Sequence, residues 1–236
     1  MASKKYYMIV DTETASEFVF DLGFTIIDRK GNEIERGSFV VSEFMTNPDS
    51  IGLIEDRFSG GSKAARYYHS LFMNKGDFNV MSFAAIQRVF NEVQQHYNAT
   101  VCAYNAAFDR EHLDATAEYF NCGEFWYCGV QWLDIWGVAL SAFCKSVNFF
   151  KWCVEHKAFT DKGNPKSGAE NVYRYLMGDA DFIEAHTAYE DTKIEAAIMT
   201  FALKRKKRLS RVESVAPCFR NNDWCEMRDK WDAFRA

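Results

Sequence analysis

Three strand-like runs open the chain in quick succession, and they limit what it can fold into. Residues 5–11 (KYYMIVD), 19–28 (VFDLGFTIID) and 33–41 (EIERGSFVV) are short apolar runs ending in polar residues. Arg29-Lys30-Gly31-Asn32 joins the second to the third with the residue types of a tight turn. The first part of the sheet is therefore predicted antiparallel. A change of period follows a polar, Gly-rich stretch near Ser59–Ser62. Ile86, Phe90, Val93 and Tyr97 recur at helical spacing. Residues 99–104 (ATVCAY) read as a short strand, 108–120 as a helix, 125–130 as a further strand, and Asp134 onward as helix. TDKGNPKS at 160–167 reads as a loop and 169–176 as a helix. A last helix from near Thr187 carries the stripe Ile194, Ala197, Ile198 and Phe201. Strands first, then helices alternating with strands, predict an α/β mixed sheet with helices on its faces. There is no internal repeat.

Charge is unevenly placed. The net charge is -5, yet residues 204–236 hold 10 Lys and Arg against 5 Asp and Glu. An acidic body carries a basic tail, which weakens the reading of a simple polyanion-coating protein. Seven Cys, with no Cys-x-x-Cys pair and no zinc-finger His spacing, read as buried reduced thiols in a cytoplasmic protein. The apolar run before Asp11 is too short for a signal-peptide core. Phe125–Cys144, the one membrane candidate, carries Gln131 and Asp134 and reads as a soluble strand running into a helix.

Three short segments, each at an expected element boundary, carry the chemistry. In Ile9-Val10-Asp11-Thr12-Glu13-Thr14, Asp11 and Glu13 are two apart on a strand and share a face. Like charges so close repel unless a cation neutralises them. A polar strand end in solvent would read the same way. Tyr104-Asn105-Ala106-Ala107-Phe108-Asp109 follows a strand and opens a helix, where a carboxylate also serves simply as a cap. In His186-Thr187-Ala188-Tyr189-Glu190-Asp191, Asp191 precedes Ile194 by three residues and so shares the core-facing side of the last helix. A carboxylate facing inward needs a partner. His186 alone would pass as a capping or surface histidine.

Together, DTET, NAAFD and HTAYED resemble the three exonuclease motifs of the DnaQ-like, or DEDD, family, within the ribonuclease H-like superfamily. The His places the resemblance in the DEDDh branch. Asp21-Leu22-Gly23 is similar to the polar-Leu-Gly that usually follows the first motif. The resemblance covers about residues 5–203, an exonuclease domain (1–203), and leaves 204–236 as a basic, Trp-containing extension expected to dock on the body. It implies a ribonuclease H-like sheet: three antiparallel strands, then parallel ones, flanked by helices. It also implies two divalent cations, Mg2+ or Mn2+, held by Asp11, Glu13, Asp109 and Asp191, with His186 as general base. Hard oxygen ligands suit those ions, and a His side chain titrates in the range where it can accept a proton from water. The chain departs from many relatives at Ala15-Ser16-Glu17, where they carry Thr-Gly.

The implied activity is 3′–5′ hydrolysis of single-stranded ends to nucleoside 5′-monophosphates, with DNA favoured over RNA. An exoribonuclease of the RNase T or oligoribonuclease type would use the same residues. A non-catalytic nucleic-acid-binding module is the reading from another class, and the intact carboxylates argue against it. Expected substrate contacts are Thr12, Thr14, Phe18 and Asn105, with Phe18 as a stacking candidate and Phe108 read as core. Lys204, Arg205 and Lys207 belong to a basic run that either tracks phosphates or complements a helix end. No membrane partner is expected. A homodimer, or a polymerase or repair partner on another chain, is the other expected association.

Overall fold

The computed structural model describes residues 5–15, 17–46, 79–127 and 129–205. Cys128, Lys207 and the extension beyond Arg205 lie outside the described residues, as does the Gly-rich stretch near Ser59–Ser62.

The three opening runs form β1 (Tyr6–Ala15), β2 (Phe18–Asp28) and β3 (Glu33–Val41). After a short helix α1 (Ser42–Thr46), β4 (Asn79–Met81) adds to the edge. Next come α2 (Phe83–Tyr97), β5 (Thr100–Ala103), α3 (Ala106–Tyr119) and β6 (Trp132–Asp134). Then α4 (Ile135–Ala139) runs into a π-helical turn (Leu140–Cys144). Helices α5 (Val147–Glu155), α6 (Ala169–Met177) and α7 (Ala188–Arg205) follow.

The strand order is β4-β3-β2-β1-β5-β6. Pairings β1–β2 and β2–β3 are antiparallel; β3–β4, β1–β5 and β5–β6 are parallel. This is the mixed sheet the sequence predicts. Its two faces follow the period of two along β1. Met8 and Val10 join Phe24, Phe39, Phe90 and Leu113 under α2 and α3. Tyr7 and Ile9 join Phe143, Phe149, Ile194 and Ile198 under α4–α7. Odd positions of β1 therefore face α7, which decides where Asp11 and Glu13 point.

Three expectations need correction. Strand β1 does not stop at Asp11; it continues through Glu13 to Ala15, with an irregularity in its pairing to β2 between Glu13 and Thr14. No strand forms at 125–130. Side-chain amides on α2 take the backbone groups a ladder would use: Gln87 Nε2 donates to Glu124 O (2.7 Å) and Asn91 Nδ2 to Phe125 O (2.8 Å). Tyr127 N donates to Asn91 Oδ1 (2.8 Å). The edge strand is instead Trp132–Asp134. On α7, Ala197 and Phe201 are only half-buried, whereas Glu195 and Met199 are buried.

Candidate active site

The local rules that shape the site are plain. Thr187 precedes α7 and its hydroxyl accepts the Glu190 N–H (3.3 Å), a Ser/Thr cap at a helix start. Asp21 on β2 also meets that start: its Oδ2 accepts the Ala188 N–H at 3.1 Å. Gly23, two residues on, has no side chain to keep α7 away, and a Cβ there would overlap the Ala188 carbonyl. Asp21-Leu22-Gly23 thus acts as a seat for the third motif. Thr25 Oγ1 donates to Thr192 Oγ1 (3.1 Å) and fixes the next turn.

The first and third motifs meet directly. Oxygen or nitrogen atoms of Glu13, His186 and Asp191 all lie within 4.8 Å of one another. Asp191 is 5% exposed, while the His186 side chain is 59% exposed at the mouth. His186 Nδ1 stands 3.9 Å from Glu184 Oε2, and its backbone is left-handed (φ 56). A non-glycine residue there is uncommon and is held by its surroundings. Glu184 is held in turn: its N–H donates to Glu170 Oε1 (3.1 Å), which also accepts Arg174 (3.0 Å).

The second motif joins through Thr12. Its hydroxyl donates to Asp109 Oδ1 at 2.9 Å, across the strand-to-helix junction. Asp109 is buried in the first turn of α3, and Asn105 before it takes a left-handed turn (φ 71) with no side-chain cap. Asp11 and Glu13 lie on the opposite face of β1 from Thr12, toward α7.

Burial raises three carboxylates of the group, Asp11, Asp109 and Asp191. Asp11 is pushed well above its ordinary range by desolvation, then by Glu195, Asp191, Asp109 and Glu13. Desolvation raises Asp109 to about 7 against the lowering effect of Thr12. Desolvation, then Glu184 and Glu13, raise Asp191 to about 9. The charges that act most on Asp11 and Asp191 are all negative. Buried Asp11 Oδ2 and Asp191 Oδ1 have no hydrogen-bond partner among the described residues. Orphaned buried carboxylate oxygens are costly, and a hard divalent cation is the partner their chemistry suits. The residues present fit such a group.

Sequence reasoning missed Glu195, which is 3% exposed and raised well above its ordinary range by burial and by Asp109 and Asp191. Its spacing of four from Asp191 was the available signal. Phe108 is corrected: it is 40% exposed and packs on His112 with ring centroids 4.0 Å apart, because Asp109 takes the inward position. The other substrate candidates scatter. Thr14 is buried on β1. Phe18 packs on Tyr119 (4.5 Å) and Phe44 (6.4 Å). Lys204 and Arg205 end α7, about 20 Å along the helix from Asp191. Arg205 donates there to Ala142 O (3.3 Å).

No family model and no curated protein matches the sequence. Solved structures do match. Exonuclease I with product bound superposes with a TM-score of 0.53 at 16% identity, over 86% of this chain and 44% of that one. The chain has the ribonuclease H-like fold of exonuclease I. E. coli exonuclease I in complex with a dT13 oligonucleotide gives 0.53 at 17% identity, over 85% of this chain and 41% of that one. The chain thus spans well under half the length of these structures. Among the described residues no helix is long and apolar enough to cross a membrane.

Proposed function

We propose that the chain is a metal-dependent 3′–5′ exonuclease of the DnaQ-like DEDDh type. It acts on single-stranded 3′ ends, DNA in preference to RNA, and releases nucleoside 5′-monophosphates. The observation that carries this reading is the convergence of the three motifs: Thr12 on Asp109, and Glu13 with His186 and Asp191 within 4.8 Å. Asp11 adds a buried oxygen without a partner. The exonuclease I structures solved with oligonucleotides support the preference for single-stranded DNA.

Asp11, Glu13, Asp109 and Asp191 would hold two Mg2+ or Mn2+ ions. When bound, such ions stabilise charge developing on the phosphate and favour ionised water. His186 sits at the exposed mouth, where water and a strand end can reach it. With Nδ1 turned toward Glu184, Nε2 is the ring nitrogen left to take the proton of the attacking water. Exposed Phe108, one residue before Asp109, offers a ring face on which the terminal base can stack.

The test is a time course on 3′- and 5′-labelled DNA and RNA oligonucleotides with Mg2+, beside Asp11→Ala. Metal-dependent shortening from the 3′ end, lost in Asp11→Ala, is expected. Absence of shortening on every substrate refutes the enzyme reading, and faster loss of RNA than DNA refutes the preference.

A further inference from the structure

Glu195 stands one helical turn beyond Asp191 on α7, and no motif of the sequence accounts for it. It is among the most buried carboxylates of the described residues, at 3% exposure. Its Oε2 accepts the Tyr104 N–H at 3.2 Å, which ties α7 to the turn that carries Asn105 and Asp109. Among the ion pairs of the described residues, none includes Glu195. A glutamine or a serine could accept one backbone N–H without the cost of burying a charge. The charged groups that act most on Glu195 are themselves carboxylates: Asp109, Asp191 and Glu184. In return Glu195 acts on Asp11 more than any other charge does. A second observation points the same way. Asp191, only 5% exposed, has a buried oxygen (Oδ1) with no hydrogen-bond partner among the described residues.

We infer that Glu195 is a fifth carboxylate of the cation cage, fixed by the Tyr104 N–H, and that its negative charge tightens the hold on divalent cations. It is a positioning residue: it acts through Asp11 and Asp191, and it need not touch the substrate. The inference rests on the reading of the site as a cation cage. Buried carboxylates behind a ligand set raise the affinity of the set in the way that outer partners do elsewhere. The arrangement also places a carboxylate on α7 where helix, β1 and the β5–α3 turn converge, tied there by the Tyr104 N–H, so the cage is assembled only in the folded chain.

The test is direct Mn2+ binding to the cation-free full chain, read by electron paramagnetic resonance of the free ion, with thermal melting alongside. Glu195→Gln keeps the acceptor for Tyr104 and removes the charge. It should bind Mn2+ about tenfold more weakly and show a smaller rise in Tm on adding Mn2+. Glu195→Asp keeps the charge and should bind more tightly than Glu195→Gln. If Glu195→Gln does not fold, Glu195→Ser takes its place in the same comparison. Wild-type Mn2+ affinity in the uncharged variant overturns the inference. Asp11→Asn separates the two layers of the argument. If Asp11→Asn binds Mn2+ as the wild type does, the cage itself is wrong. If Asp11→Asn loses Mn2+ and the uncharged Glu195 variant does not, only the role of Glu195 falls.

Discussion

Gly23 on β2 and Ala188 at the start of α7 are in backbone contact: a Cβ on Gly23 would overlap the Ala188 carbonyl oxygen and lie 2.7 Å from its carbon. That contact sets the height of the helix that presents Asp191. Gly23→Ala should push α7 off the sheet, because a strand and a helix carbonyl have no flexible end to give. A loss of roughly 1–3 kcal/mol is expected, read by denaturant unfolding, together with a drop in nuclease kcat. Unchanged stability and kcat would show that the contact is slack.

Thr12 and Asp109 link the first and second motifs by one hydrogen bond of 2.9 Å. Thr12→Val removes the donor and keeps the shape. Asp109, already raised to about 7 by burial, loses a group that favours its charged form. The expected loss is about 1.5–3 kcal/mol in kcat/KM at neutral pH. Thr12→Ser should restore most of it. Equal activity of Thr12→Val and wild type from pH 6 to 9 would remove this bond from the mechanism.

Stability of the cation-free protein should fall as pH rises. Asp109 at about 7 and Asp191 at about 9 keep protons in the native state, while the unfolded chain releases them near pH ~4. Their folded pKa values lie above the unfolded ones, so their contribution is fully present below about pH 4 and is lost as pH rises through 7 and 9. Melting in EDTA from pH 5 to 9 should therefore show a declining Tm. Mg2+ or Mn2+ should restore it most at the alkaline end. A Tm that rises across this range contradicts the shifts.

Asn91 holds the segment that the sequence reads as a strand. Its amide bonds Gln87 O, Phe125 O and the Tyr127 N–H, each at 2.8 Å. Asn91→Leu strips these partners and leaves buried backbone groups unpaired. A cost of roughly 1–3 kcal/mol is expected, with a shift in the fluorescence of buried Trp126 that reports loosening nearby. Nuclease activity measured well below the melting point should be retained, since Asn91 touches none of the site carboxylates.

The sequence by itself determined most of the elements and the direction of key side chains on each. A period of two in β1 puts Asp11 and Glu13 on one face. Helical spacing turns Asp191 inward with Ile194. Thr187 marks where α7 begins. All three are local facts, set by backbone geometry within one element. Tertiary structure decided which faces meet. Phe108 turned outward because Asp109 took the inward position of α3. Phe125 and Trp126 packed under α2 without a ladder because Gln87 and Asn91 satisfied the backbone there. Glu195 entered the carboxylate group only when Gly23 let α7 close on β2 and Tyr104 came within reach. Local spacing fixes the direction of a side chain on its own element. The company it keeps depends on contacts between residues far apart in the chain, and only packing brings those together.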